Sequence, residues 1–103
     1  MGKVLIIDDE KQILGLLSRI IGLEGYEVLQ AATCKAGLRQ MEQHSPEVVL
    51  CDVFLPDGNG VDLVSDLRNF ALYPRSSYLP RMVIFRMAYR QSRMELRLYH
   101  ERG

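Results

Sequence analysis

Short apolar runs alternate with amphipathic segments along residues 1–70 of this 103-residue chain. Two of these runs, at residues 4–7 and 48–51, lead directly into acidic residues, and residues 26–29 form a further strand-like segment. Runs of this length that are bounded by polar residues are typical of buried parallel strands. The pattern therefore predicts three strands at these positions.

The segments between and after the predicted strands carry apolar residues at helical spacing. The first helix closes at Gly25, a C-cap glycine. The second begins after Thr33, a good N-cap residue, and ends near Ser45-Pro46. Residues 58–60 supply a turn before the third helix. The apolar faces consist of Ile13, Leu14, Leu17, Ile20 and Ile21 in the first helix, Ala36, Leu38 and Met41 in the second, and Val61, Val64, Leu67 and Phe70 in the third.

The resulting order of elements, β-α-β-α-β-α, predicts an α/β fold with a doubly wound parallel sheet, because right-handed crossovers place helices on both faces. A chain of 103 residues holds one modest core, so we expect a single domain over residues 1–103. No apolar run is long enough to span a bilayer, and the N-terminus lacks the pattern of a signal peptide. Cys34 and Cys51 lack metal-binding or redox spacing. These features predict a cytoplasmic protein.

Acidic residues stand where two of the predicted strands end. Asp8 and Asp9 follow the first strand, and Asp52 ends the third. Because ligand sites in open parallel sheets lie just beyond the carboxyl ends of the strands, we expect the three carboxylates to converge. Carboxylates crowded together repel one another and raise one another's pKa unless a cation lies among them. A hard divalent cation with oxygen ligands, Mg²⁺ in particular, suits such a cluster.

Three motifs resemble the receiver domain of bacterial two-component response regulators. They are K-V-L-I-I-D-D-E at residues 3–10, V-V-L-C-D at residues 48–52 and L-P-D-G-N-G at residues 55–60. The motifs are specific in combination, whereas an acidic pair alone is common on protein surfaces. The resemblance covers roughly residues 1–70 and implies a flavodoxin-like fold with the strand order 2-1-3-4-5.

The resemblance also implies a function and a set of site residues. Asp52 would be the phosphoacceptor, phosphorylated from a histidine of a sensor kinase with Mg²⁺ as cofactor. The metal would be bound by Asp9, by Asp52 and by the backbone carbonyl of Phe54, with Asp8 acting through water. Such a domain is a signalling phosphoacceptor rather than an enzyme. Its expected partners are a sensor histidine kinase and a downstream output protein.

The C-terminal third of the chain, residues 71–103, departs from the family pattern. A receiver domain has two more strands, one ending in a switch Thr or Ser and the next ending in Lys. Residues 71–103 contain no lysine and no threonine, and their three serines do not end a clear strand. If residues 82–85 form a fourth strand, Arg86 occupies the switch position. We therefore identify no switch hydroxyl and no active-site lysine, and we expect weakened phosphorylation and impaired switching.

Net charge changes sign at the same point. Residues 1–70 carry six Lys and Arg against eleven Asp and Glu, a net charge of −5, whereas residues 71–103 carry seven Arg against two Glu, a net charge of +5. A basic segment with interleaved tyrosines is one pattern of nucleic-acid binding. These arginines are spread evenly rather than clustered, so nucleic acid is not an expected partner.

Two structures remain open for this Arg-rich tail. Residues 82–85 are suited to a fourth strand. Alternatively, a helix from about residue 82 to residue 100 would set four apolar side chains near one face, namely Val83, Met87, Met94 and Leu98. With only three secure strands, the third strand would be an open edge of the sheet, prone to self-association unless the tail covers it.

A third interpretation of the tail is a frameshifted reading of an ordinary receiver C-terminus. The genetic code is degenerate, so several codon choices encode these residues. With suitable choices, the codons from Met82 onward, read one base earlier, encode the peptide H-G-N-I-P-D-G-V-Q-A-I-K-N-G-A. If the codons of Pro80 and Arg81 are included, the peptide can begin T-A-H-G. Codons for residues 96–103, read one base later, permit F-D-Y-I-T-K-G. Both strings resemble the missing family segments, including the switch threonine and the lysine. The coding DNA tests this hypothesis, because its actual codons either spell these peptides or do not.

Two other functional classes are alternatives to a phosphoacceptor. A haloacid-dehalogenase-type phosphatase also uses a strand-end aspartyl nucleophile with Mg²⁺. It requires a second Asp two residues after the first, where this chain has Phe54, and it leaves the upstream acidic pair unexplained. A truncated or frameshifted receiver remnant that binds proteins independently of phosphorylation is the stronger alternative, because the tail lacks two key groups.

Overall fold

A computed structural model describes residues 2–63, 78–90 and 93–102, which form a five-stranded sheet and a separate two-stranded ribbon. Residues 60–63 are helical. The remaining predicted positions of the third helix, Val64, Leu67 and Phe70, lie outside the described residues, as do the three serines of the tail. The elements in chain order are β1 (Lys3–Ile7), α1 (Lys11–Leu23), β2 (Glu27–Ala31), α2 (Cys34–His44), β3 (Val48–Asp52), β4 (Phe54–Leu55), β5 (Gly58–Asn59), β6 (Arg81–Arg90) and β7 (Arg93–Arg102).

The main sheet has the strand order β2-β1-β3-β6-β7. Strands β2, β1, β3 and β6 are parallel, and β7 is antiparallel to β6. Helix α1 packs on one face of the sheet and α2 on the other, so the predicted α/β, doubly wound, flavodoxin-like fold is confirmed. Within the described residues, no helix is both long and apolar enough to cross a bilayer.

The predicted helix boundaries have local causes that the structure shows. After α1, Gly25 adopts the left-handed conformation at φ 95°, and its N–H donates to the carbonyl of Gly22 at 3.0 Å. At the start of α2, the Thr33 hydroxyl accepts from the Ala36 N–H at 3.0 Å. At its end, Ser45 has φ 47°, and the proline that follows cannot continue the helix. The predicted caps are therefore confirmed.

The core lies mainly between the sheet and α2. Alternate residues of β1, β3 and β6 point to this side and are completely buried, among them Ile7, Cys51 and Ile84. The intervening residues point to the α1 side. There β7 adds Leu96 and Leu98, which remain 57% and 59% exposed. Their neighbours on this face are Leu17, Leu50, Val83 and Phe85.

The tail forms a hairpin of β6 and β7 instead of the alternative long helix, which is a correction of that interpretation. The possible fourth strand at residues 82–85 is confirmed as part of β6, which pairs with β3 from Val48–Arg81 to Asp52–Phe85. Hydrogen bonds fix the start of this pairing, because the Arg81 N–H donates to the Glu47 carbonyl at 2.9 Å. An unpaired strand edge exposes a row of backbone groups, and strand pairing satisfies them. The third strand is therefore internal and not an edge.

Candidate metal and phosphoacceptor site

Three carboxylates meet at the carboxyl end of the sheet. β1 and β3 are neighbours in parallel register, with Ile7 opposite Cys51. The residues that follow this pair are Asp8 and Asp52, and Asp9 comes next along the chain. One carboxylate oxygen from each of the three aspartates lies within 4.8 Å of the others. The structure thus brings together the three acids that the strand ends predicted.

Asp8 is the buried member of the cluster, with only 2% of its surface exposed. Its Oδ1 accepts a hydrogen bond from the Glu10 N–H at 2.9 Å, and its own N–H donates to the Ala31 carbonyl at 3.0 Å. Burial raises the pKa of Asp8 from 3.8 to about 6, and the charges of Asp52 and Asp9 add to this while the Glu10 N–H opposes it. The buried carboxyl group therefore lacks sufficient positive charge around it.

Asp52 is half-buried, and its surroundings push its pKa in both directions. Burial raises the pKa, whereas the Phe54 N–H, 3.5 Å from Oδ1, and the positive charge of Arg86 oppose this increase. The net result is a raised pKa. The Phe54 side chain is 59% exposed, and the predicted role of its carbonyl as a metal ligand stays a prediction.

The donor set fits a hard divalent cation. Three carboxylates offer oxygen ligands. Burial is the main cause of the raised pKa of Asp8 and of Asp52, and repulsion between the acidic groups adds to it, so a cation among them would favour their charged forms. An open pocket of about 380 Å³ adjoins the cluster and is lined by Asp8, Asp9 and Lys11 among others. A cation among the three carboxylates would therefore be accessible from solvent.

Cys51 packs beneath the site. Its side chain is fully buried, and its thiol donates to the Asp52 carbonyl at 3.3 Å. Burial raises the pKa of this thiol far above its ordinary value. A thiol that stays protonated is a poor nucleophile and metal ligand, so the geometry favours the packing role expected from the sequence.

Asp57 in the turn between β4 and β5 anchors the start of α2, a role that the sequence reading missed. Its two carboxylate oxygens accept from the N–H groups of Cys34 at 2.8 Å and Lys35 at 3.0 Å. Helix N-termini leave such groups without intrahelical partners, and acidic side chains there are favourable. These bonds lower the pKa of Asp57. A turn aspartate near a strand end was visible in the sequence, but its helix partner is 23 residues away.

We expect Asp57→Ala to expose the first amides of α2 and to lower the stability of the protein at neutral pH. Because the folded pKa of Asp57 is lowered, its contribution is present above the ordinary aspartate pKa of 3.8 and disappears as the pH falls through the folded value. Hydrogen exchange at Cys34 and Lys35 measures the effect. Asp57→Asn keeps one acceptor oxygen and should fall between the two proteins. Equal exchange in all three would contradict this role.

Arg86 is the second feature that sequence reasoning could not place fully. Arg86 does follow residues 82–85, as predicted. The strand does not end there, however, because β6 continues through Arg86 to Arg90. The Cζ of Arg86 lies 4.7 Å from the centroid of the Phe54 ring. The register of β6 with β3 places Arg86 at the carboxyl end of the parallel strands, where Asp52 also lies.

Comparison with known proteins places the chain among signalling domains. The family model for the response regulator receiver domain matches residues 4–94. The chain is 42% identical over 74 residues to the transcriptional regulatory protein KdpE of Mycobacterium tuberculosis, covering 72% of this chain and 33% of that protein. It is 34% identical over 74 residues to the KDP operon transcriptional regulatory protein KdpE of Escherichia coli, with the same coverage. The chain thus spans about a third of the length of these relatives.

Solved structures show the same fold. The chemotaxis response regulator CheY4 of Vibrio cholerae matches with a TM-score of 0.71 and 27% identity, covering 82% of this chain and 67% of that chain. A response regulator receiver domain protein of Methanospirillum hungatei matches with a TM-score of 0.67 and 33% identity, covering 82% and 64%. The sheet order, the acids at the strand ends and the family match over residues 4–94 lead to one conclusion: the chain belongs to the response regulator receiver domains, the signalling domains of two-component systems.

Proposed function

We propose that this domain accepts a phosphoryl group on Asp52, with Mg²⁺ as cofactor, from a histidine of a sensor kinase in the cytoplasm. The observation that carries the proposal is the convergence of Asp8, Asp9 and Asp52, whose carboxylate oxygens lie within 4.8 Å of one another. Asp52 is only half-buried, so its carboxylate is accessible to a phosphodonor. Asp8, by contrast, is buried and is suited to binding the cation rather than to accepting the phosphoryl group.

Each residue of the site has a separate role in this reaction. A carboxylate oxygen of Asp52 forms a bond to phosphorus as the phosphorus–nitrogen bond of the phosphohistidine breaks, and the imidazole nitrogen keeps the electron pair. The Phe54 N–H, 3.5 Å from Oδ1, orients the carboxylate. Asp8, Asp9, Asp52 and the Phe54 carbonyl would hold Mg²⁺. When bound, the cation supplies positive charge that stabilises the transferring phosphoryl oxygens.

Signal propagation beyond Asp52 is expected to be impaired. In a typical switch, a phosphoryl group draws a hydroxyl and a helix face into a second arrangement. The strand that pairs with β3 here continues through Arg86, where a switch hydroxyl would stand. We therefore propose that any downstream output protein recognises a surface whose change on phosphorylation is smaller than that of an intact receiver.

A binding module that works without phosphorylation is the second candidate. The charge of Arg86 acts on Asp52 in the unphosphorylated protein, so the acidic site already has a positive neighbour. In that case partner binding would not depend on Mg²⁺ or on a phosphodonor. A truncated or frameshifted receiver remnant would have this property.

Incubation with acetyl phosphate and Mg²⁺, followed by intact-mass analysis, separates the two candidates. We expect one hydroxylamine-labile phosphoryl adduct on the wild-type chain and none on Asp52→Ala or after addition of EDTA. Asp62→Asn, which changes an exposed aspartate outside the cluster, is the matched control and should retain the adduct. A folded wild-type protein without adduct would reject phosphoacceptor function, and an adduct on Asp52→Ala would reject the assigned residue.

A further inference from the structure

Arg86 is held beside the acidic cluster by the strand pairing and by an aromatic ring. It follows Phe85, which pairs with Asp52 and whose carbonyl accepts from the Val53 N–H at 2.9 Å. The Arg86 Cζ lies 4.7 Å from the centroid of the Phe54 ring, within the range of a cation–π contact. The backbone N–H of the same Phe54 faces Asp52 Oδ1. One residue thus contacts both the arginine and the proposed phosphoacceptor.

The guanidinium group lies at the strand end that carries Asp52, because Phe85, the residue before Arg86, is the register partner of Asp52 and the Phe54 ring contacts the guanidinium group. Arg86 is only half-buried and makes its ring contact with an exposed phenylalanine, so the head group can move over a short distance without leaving a cavity. A cation in this position fits an anion that arrives on Asp52.

A phosphoryl group on Asp52 would carry a charge of about −1.5 to −2 beside Asp8 and Asp9, in place of the single negative charge of the carboxylate. A planar guanidinium group with five N–H donors matches phosphate oxygens in a bidentate manner, which a lysine ammonium group does not. We propose that Arg86, positioned by the Phe54 ring, is the phosphoryl-binding cation of this domain. The inference rests on the proposed function of Asp52 and assigns the basic group that receives the phosphoryl oxygens.

Beryllofluoride with Mg²⁺ is the direct probe, because it mimics an aspartyl phosphate without covalent transfer from a donor. We expect Arg86→Gln to weaken beryllofluoride binding by about tenfold or more, the effect of removing a charge-assisted hydrogen bond. Arg86→Lys keeps the positive charge but cannot donate two parallel hydrogen bonds as the guanidinium group does, so its affinity for beryllofluoride should lie between those of the wild type and Arg86→Gln. Arg93→Gln, an exposed arginine at the start of β7, is the matched control and should bind as the wild type does.

Mg²⁺ affinity measured without beryllofluoride shows whether the variants still form the acidic site. Removal of a neighbouring positive charge should tighten Mg²⁺ binding by about two- to fivefold in Arg86→Gln, the range for a partly exposed charge pair. The same variant is thus expected to bind the cation better and the phosphoryl mimic worse. A variant that merely failed to fold would lose both.

The Phe54 ring is a positioning group for Arg86, and a double-mutant cycle tests this. Phe54→Leu should weaken beryllofluoride binding in the wild-type background and have a smaller effect in the Arg86→Gln background, since the ring then has no arginine to hold. Equal effects in both backgrounds would reject the positioning role.

Two outcomes distinguish failure of this inference from failure of the proposed function. If the wild type forms the acetyl phosphate adduct and Arg86→Gln binds beryllofluoride equally tightly, the assignment of Arg86 is wrong and the phosphoacceptor stands. If the wild-type chain binds Mg²⁺ but neither beryllofluoride nor a phosphoryl group, both are rejected.

Discussion

Replacement of Asp8 by asparagine is expected to raise the free energy of unfolding of the Mg²⁺-free protein by about 3 kcal/mol at about pH 7.5. The buried Asp8 has a pKa raised from 3.8 to about 6, so its charged form is disfavoured in the folded state. Asparagine removes the charge and retains an oxygen that can accept from the Glu10 N–H. Urea unfolding in the presence of EDTA measures the difference.

The pH dependence gives this prediction a definite sign. Between pH 3.8 and about 6 the folded protein binds more protons at Asp8 than the unfolded chain does. The free energy of unfolding therefore falls as the pH rises through this window, and the destabilisation caused by Asp8 reaches its full value above it. The advantage of Asp8→Asn should shrink on acidification and vanish below about pH 4. An advantage that is equal at all pH values would point to a cause other than charge.

Mg²⁺ should reverse the order of the two proteins. A ligand that binds only the folded state stabilises it by RT ln(1 + [L]/Kd), and the wild type retains the full set of carboxylates. Asp9→Asn changes the same chemical group at an exposed position and serves as the control, with a smaller expected gain without metal. If Asp8→Asn is no more stable than Asp9→Asn in EDTA, the burial argument is wrong.

Gly60→Ala is expected to lower the free energy of unfolding by about 1–3 kcal/mol. A Cβ at this position would lie 2.9 Å from Ile84 Cγ2 and 3.0 Å from the Asp52 carbonyl oxygen. Ile84 is completely buried and cannot move into solvent, and the other contact is the backbone of the strand that carries Asp52. The added methyl group must therefore displace the core, the strand end or both.

Gly15→Ala is the matched control for this substitution. Gly15 lies within α1, and a Cβ built there meets nothing within 4 Å. The same chemical change should therefore stabilise the protein, by about 1 kcal/mol, because alanine favours the helix. Denaturant unfolding of both variants measures the contrast. Destabilisation by both substitutions, or by neither, would contradict the packing explanation at Gly60.

The first half of the fold could be predicted closely because its signals are local. Four apolar residues followed by acid mark β1 and β3, and the structure ends these strands at Ile7 and Asp52. The cap at Thr33 and the glycine at Gly25 act within one turn of the helix that each one bounds. Local hydrogen bonds and side-chain periodicity are properties of short segments, so they can be read without knowing the rest of the chain.

The local sequence of the tail is compatible with more than one structure. Residues 82–100 contain apolar positions that are compatible with a helix, and also β-branched and aromatic residues that suit a strand, as Val83, Ile84 and Phe85 do. In the tertiary structure these residues form a strand because they pair with β3, which would otherwise be an edge strand. This pairing satisfies the backbone N–H and carbonyl groups of β3, which a helix packed beside the strand would leave unpaired. The open edge expected of β3 in the absence of a cover does not arise, because the tail covers it as a fourth strand, one of the two alternatives for the tail.

The sequence by itself determined the strand-end aspartates, the order of the first elements and the absence of lysine from residues 71–103. The meeting of Asp8, Asp9 and Asp52 followed from the strand ends, but only the tertiary structure decided the contacts between other distant groups. The contact of Arg86 with Phe54 and the capping of α2 by Asp57 join segments that are 32 and 23 residues apart. Such contacts depend on strand register and on the packing of helices over the sheet, and no local pattern encodes these because they arise from the free energy of the whole fold.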